Sequence, residues 1–251
     1  MHEGHRQRMI ARYRAEGLDH FADHEVLELL LFSQFSRQDV NELAHRLVRR
    51  FGSFSAVLQA GEEDLLTVKG VTPRLAQNLA LYKHLFRIYE INRFGSRPVL
   101  QSYRQAGQYA RALLEGYDTE CIYCILMNAR SAVIASERVA EGTVASAPLQ
   151  PRKVLEAAIR HKAYAVILAH NHPGGNPRPS ISDRQLTRNL QYILSGAEVR
   201  LLDHLIVSDT RLFSFANQRL MQEDSGESGA CIAQNKISYD IGASPEAIEE
   251  V

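Results

Sequence analysis

Two histidines, His170 and His172, close the apolar run 163–169 and open the segment HNHPGGNPRPSISD, residues 170–183. If that run is a strand, side chains two apart share a face, and both imidazoles can converge on one ion. Pro173 ends the pairing, the Gly and Pro residues beyond it turn the chain back, and Asp183 falls at the start of the next helical pattern. Two imidazoles and one carboxylate leave a fourth tetrahedral position for water, the arrangement of a catalytic zinc site rather than a structural one. Such water ionises near neutral pH. The same residues admit a plainer reading: Ser180 and Asp183 also have capping-box spacing, in which neither touches a metal, and two histidines can simply be the polar end of a strand.

The elements around this segment must bring those side chains together. AYAVILAHNH reads as a buried strand and SDRQLTRNLQYILSG as the following helix. Upstream, SYRQAGQYARALLEG forms an amphipathic helix that opens at Ser102 and stops at Gly116. ECIYCILM (120–127) and AVIASERVA (132–140) read as strands, and PRKVLEAAIRHKA as a helix with Pro151 near its first position. VRLLDHLIVS (199–208) and RLFSFA (211–216) predict a closing pair of strands. Residues 6–93 repeat apolar residues at three- and four-residue intervals, punctuated by Gly52, Gly61 and Gly70, and predict an all-helical domain. The expected organisation is a helical domain over 1–93, a Gly/Ser/Pro linker over 94–101, a mixed α/β domain over 102–221 and an acidic tail over 222–251 that is disordered or only locally structured.

H-x-H-P followed by a loop and P-S-x-x-D is the core of the JAMM (MPN-type) metalloprotease motif, and HNHPGGNPRPSISD resembles its RadC branch. The resemblance extends through GHRQRMIARY, HEVLELLLF, FGSFSAVL, PRKVLEAAI and LLDHLIV, and so covers almost all of residues 4–216. It implies an α+β chain, with an N-terminal all-α domain before a C-terminal α/β JAMM domain of the MPN, cytidine-deaminase-like type. It also implies one Zn²⁺ held by His170, His172 and Asp183, and hydrolysis of an amide or isopeptide bond in a peptide-type substrate. The family carries a catalytic glutamate on the first strand after the domain's first helix. That place is TECIYCILMN here, which implies Glu120 as the general base that takes a proton from the zinc's water and passes it to the leaving amine. Glu141, in ERVAEGTV, is the competing carboxylate. Ser180 stands where the family uses a hydroxyl to hydrogen-bond the developing oxyanion, with helix capping as its alternative role. Asn171 is expected to shape the loop between the ligands, His204 to be a satisfied core histidine rather than a fourth ligand, and Asp203 could orient a ligand imidazole from behind.

The family's traditional label is DNA repair, which gives the competing function: a DNA-binding accessory protein with a structural or vestigial metal site. Residues 62–83, EEDLLTVKGVTPRLAQNLALYK, resemble a helix-hairpin-helix element, whose helix N-terminus offers N–H groups to a phosphate. Thr72 replaces the usual second glycine, and threonine resists the positive φ that glycine accepts. Lys69, Arg74 and Lys83 could add phosphate contacts, but residues 1–97 carry a net charge of only +2. Over the whole chain 29 basic residues balance 29 acidic ones, with +6 on residues 1–221 and −6 on the tail, which tolerates nucleic acid without demanding it. No apolar run approaches the roughly 20 residues of a membrane span, and the histidine- and arginine-containing N-terminus is unlike a secretory signal. Three cysteines make no disulfide framework, so a cytoplasmic home is expected. Cys121 and Cys124 form C-x-x-C, but on a strand they face opposite sides and read as structural. His2 and His5 read as surface residues rather than a second metal site.

Overall fold

Amphipathic periodicity in the first third of the chain folds as six helices in the computed structural model, which describes residues 2–35, 38–142, 149–173, 175–208, 211–221, 239–240 and 249–250. The chain separates into two compact units, Met1–Phe86 and Arg87–Val251. The helices are α1 (His2–Glu16), α2 (Asp23–Leu31), α3 (Asn41–Phe51), α4 (Phe54–Gln59), α5 (Glu62–Leu66) and α6 (Pro73–Arg93). The division falls inside α6, not at the expected linker. In the first unit, Leu27, Leu31, Leu43, Leu47, Val57, Leu65, Leu75 and Leu79 form one apolar core.

Two local features of this unit depart from expectation. His5 is not a free surface residue, because its Nε2 lies 3.2 Å from Oε1 of Glu28, a carboxylate buried between α1 and α2. In the turn before α6, Gly70 takes the positive φ, +97°. Thr72 Oγ1 instead accepts from Leu75 N at 3.2 Å and caps the helix, so the position where a second glycine was expected serves as an N-cap.

The second unit is built on a six-stranded sheet in the order β2-β1-β3-β4-β5-β6, from β1 (Glu120–Met127), β2 (Val133–Gly142), β3 (Ala165–Asn171), β4 (Arg200–Val207), β5 (Arg211–Ser214) and β6 (Glu249–Glu250). The β3–β4 pair is parallel and its neighbours are antiparallel. Side-chain alternation sends Cys121, Tyr123, Ile125, Ala165, Ile167 and Ala169 to one face, where they pack on α7 (Tyr103–Leu114). It sends Ile122, Cys124, Leu126, Val166 and Leu168 to the other, against α8 (Pro151–Arg160) and α9 (Ile181–Ser195). With both faces covered, every residue of β3 is buried, which explains its unbroken apolar run.

The segment 94–101 is part of this unit rather than a free connector. Val133 N donates to Pro98 O and Leu100 N to Ser131 O, both at 2.8 Å, and Leu100 is buried in the core. Most of the acidic tail lies outside the described residues, but its described pieces join the sheet unit. Tyr103 N donates to Asp240 O and Asp240 N to Gln101 O, while β6 pairs with β5. No helix among the described residues is long and apolar enough to cross a membrane.

Candidate metal centre

The end of β3 and the start of α9 meet where the sequence analysis placed the metal. His170 closes the buried strand with its side chain on the α8/α9 face. His172 keeps that register because its N–H still donates to Val207 O on β4 at 2.9 Å. The chain returns through the Gly/Pro loop, and α9 starts at Ser180, whose Oγ accepts from Asp183 N at 3.1 Å. Asp183 Oδ2 in turn accepts from Ser180 N at 2.7 Å and from Ser180 Oγ at 2.6 Å. The capping box and the metal-ligand reading are therefore compatible, because the cap occupies Oδ2 and leaves Oδ1 3.5 Å from His170 Nε2. Glu120, at the first position of β1, completes a cluster with His170, His172 and Asp183 whose ligand atoms all lie within 4.8 Å of one another and could hold a metal ion.

The protons of this cluster can be assigned from its partners. His172 Nδ1 is 2.7 Å from Asn176 O, an atom that only accepts, so Nδ1 carries a proton and Nε2 is the ring nitrogen turned to the cluster. Thr187 Oγ1 donates to Asp183 O at 2.7 Å and therefore accepts from His204 Nδ1, also at 2.7 Å. His204 Nε2 is then left to accept from His170 Nδ1 at 2.8 Å, and His170 Nε2 is a lone pair as well. Burial holds both rings neutral, pushing His170 down to about 4 and His204 well below the usual imidazole range. The His170 Nε2 lone pair thus faces His172 Nε2 at 2.9 Å, with Asp183 Oδ1 3.5 Å from His170 Nε2. Two imidazole nitrogens and a carboxylate gathered this way are a donor set that could hold a metal ion.

Glu120 adds the fourth group. Its Oε2 is buried with no hydrogen-bond partner. Burial raises its pKa, His172 opposes that rise and Asp183 adds to it. A carboxyl whose pKa is raised in this way holds a proton more readily than a solvated one. Its placement depends on Asn171, whose role differs from the expected shaping of the loop. Asn171 points to the opposite face, where its Oδ1 accepts from Cys121 N at 2.7 Å and its Nδ2 donates to Thr119 O at 3.0 Å and Tyr117 O at 3.4 Å. The side-chain amide thereby continues the β1–β3 ladder past its last backbone pair and clamps the peptides on both sides of Glu120.

The competing carboxylate, Glu141, stands elsewhere. It pairs in register with Cys121 on the other face of β1 and forms an ion pair with Arg138 at 2.6 Å. The expectation for Asp203 also needs correction, because strand alternation turns it away from the imidazoles. It accepts from Ser214 Oγ at 2.6 Å, Tyr239 Oη at 3.0 Å and the N–H groups of His204 and Ala216, and burial pushes its pKa up to about 6. His204 is the residue that touches the ligand imidazole from behind. Its only sequence signal is its place on the strand after the α9 helix, two positions from the β4 end of the site. Ser180 is exposed on one side, but its hydroxyl proton is held by Asp183 and its Oγ lies 2.7 Å from Ser182 Oγ. Cys121 and Cys124 are free and buried on opposite faces, as the strand reading requires; Cys231 lies outside the described residues.

A family model described as a RadC-like JAB domain matches residues 100–220. A UPF0758 protein of Rhodobacter capsulatus is 35% identical over 210 residues, 84% of this chain and 98% of its own. UPF0758 proteins of Burkholderia mallei (strain SAVP1) and Burkholderia thailandensis (strain E264) are each 35% identical over 211 residues, covering 84% of this chain and 74% and 79% of theirs. These names carry no activity, but the fold is of the metallohydrolase type and the candidate metal residues lie inside the matched region. The chain belongs to the RadC family, with a JAB domain that follows a helical unit.

Proposed function

We propose that the protein is a zinc-dependent hydrolase of the JAMM type that cleaves an amide or isopeptide bond in a peptide-type substrate. The observation that carries this reading is the convergence of His170 Nε2, His172 Nε2 and the Asp183 carboxylate, beside a glutamate oxygen that is buried without a partner. The residues fit Zn²⁺: His170, His172 and Asp183 would hold it, three protein ligands being the number that leaves a position open. When bound, the ion polarises a carbonyl and acidifies water. Glu120, with its raised pKa, would serve as the group that accepts a proton and passes it to the leaving amine. Ser180 orients Asp183 through both its N–H and its hydroxyl, and its exposed side can offer the hydroxyl to an oxyanion once Asp183 Oδ2 releases it.

At the turn between α5 and α6, Thr72 Oγ1 already takes one of the helix N-terminal N–H groups, which favours packing over phosphate binding there. The two buried free thiols fit a reducing compartment, and we place the protein in the cytoplasm. The functional reading is tested by a peptide and isopeptide library screen of the zinc-loaded protein alongside Glu120→Gln. The variant should retain zinc and lose hydrolysis. Equal turnover in both would remove Glu120 from the reaction, and no turnover with any amide would remove the reaction itself.

A further inference from the structure

Behind the candidate ligands runs a hydrogen-bonded chain that no solvent reaches. His170 Nδ1 donates to His204 Nε2 at 2.8 Å, His204 Nδ1 to Thr187 Oγ1 at 2.7 Å, and Thr187 Oγ1 to Asp183 O at 2.7 Å. His170 and His204 are fully buried and Thr187 nearly so. We infer that His204 and Thr187 are positioning residues that lock the tautomer of His170 and tie it to the backbone of Asp183, so that one relay aligns two of the metal ligands. This inference rests on the metal reading above and extends it to residues that touch no metal.

The direction of the relay is fixed at its far end. The Asp183 carbonyl can only accept, so Thr187 must donate to it. Thr187 must then accept from His204, and His204 must accept from His170. Had His170 taken the other tautomer, its proton would stand on Nε2, where the ion belongs, and two lone pairs would face each other behind it. Three elements hold the chain in place. Thr187 lies one turn after Asp183 on α9. His204 pairs with Leu168 in the parallel β3–β4 register, on the same face as His170. The His204 ring also stacks on Phe215, with centroids 4.8 Å apart and planes 12° apart, which sets its plane at 48° to that of His170. A carboxylate commonly backs a ligand histidine. A neutral imidazole here gives the same orientation without adding negative charge to a site that already holds Asp183 and Glu120.

The test measures Zn²⁺ affinity by chelator competition and the visible spectrum of the Co²⁺-substituted full chain. His204→Phe keeps a ring for Phe215 and removes both hydrogen bonds. Thr187→Val keeps the shape of the side chain and removes the far link. His204→Gln and Thr187→Ser preserve an acceptor and a donor at each step. Breaking the relay should weaken zinc binding about 10- to 100-fold and alter the Co²⁺ bands, whereas the two preserving variants should stay close to the parent protein in both. Wild-type affinity and an unchanged Co²⁺ spectrum in Thr187→Val and His204→Phe overturn the relay. If His204→Phe does not fold, the Thr187→Val and Thr187→Ser pair decides alone. His170→Ala separates the two levels of the argument: zinc binding by the parent that this variant does not reduce overturns the ligand assignment, and the relay with it.

Discussion

Replacing Asn171 with Ala should disturb Glu120 without touching the metal ligands, and the size of the effect follows from what the amide holds. Three hydrogen bonds disappear, from Cys121 N and to Thr119 O and Tyr117 O. The two carbonyls lie toward solvent and lose about 1 kcal/mol each at most, because water can replace the amide. The Cys121 N–H is buried with no substitute, and leaving it unpaired costs about 1–3 kcal/mol. The total is roughly 1–5 kcal/mol, which for a unit of this size lowers Tm by about 2–20 °C. Zinc content should hold, since His172 N still donates to Val207 O on β4 and Asp183 stays fixed by the Ser180 cap. Turnover should fall, because the first residue of β1 is no longer pinned between two fixed peptides. Hydrogen exchange at the Cys121 amide, read by NMR, gives an answer independent of any substrate: slow in the parent and fast in the variant. A melting temperature within about 1 °C of the parent, together with unchanged protection at Cys121, would refute the clamp.

Three further outcomes follow from the same structure. Gly107→Ala should be destabilised by about 1–3 kcal/mol, since the new Cβ would lie 2.3 Å from Leu212 Cδ2; an unchanged urea midpoint would mean that α7 sits farther from β5. In a Cys231→Ser background, iodoacetamide should label Cys121 and Cys124 only on unfolding, because burial raises both thiols, Cys124 to about 12; rapid labelling of the native protein would contradict this. The metal-free protein should lose stability as pH falls below about 6.5. There the unfolded chain protonates His204 and the folded chain, whose imidazole pKa is depressed, does not. His204→Gln lacks that group and should lose less over the same interval, so parallel stability curves for the two proteins would refute the assignment of a neutral His204.

Much of the candidate site was readable because its chemistry is local. His170, His172, Pro173 and Asp183 lie within one strand–loop–helix segment, and period-two alternation already placed both imidazoles on one face. Glu120 was reachable only through the family resemblance, since nothing in ECIYCILM distinguishes its first carboxylate from a solvated strand end. What escaped the sequence depends on pairing across the sheet. Asn171 acts through β1, some fifty residues away in the chain, and His204 reaches His170 only through the parallel β3–β4 register. The position of Asp203 beside His204 invited a role at the ligands, yet the alternation that identified the histidines turns Asp203 to the other face. The 94–101 segment looked like a linker because Gly95, Ser96 and Pro98 break periodicity, while its hydrogen bonds to residues 131 and 133 are main-chain contacts that leave no mark on composition. Helix boundaries and core faces were legible wherever a 3.6-residue period was strong, as in α3 and α7.

The central claim is that four side chains from β1, α9 and the end of β3 with the loop that follows it form a metal centre, and metal stoichiometry tests it most directly. The full chain, stripped of metal, loaded with Zn²⁺ and freed of excess by gel filtration, should carry one zinc per chain by mass spectrometry. The ion should be absent from His170→Ala, His172→Ala and Asp183→Asn, and retained in Glu120→Gln. Zinc at equal levels in the parent and in all three ligand variants, or in none of the proteins, would contradict the account.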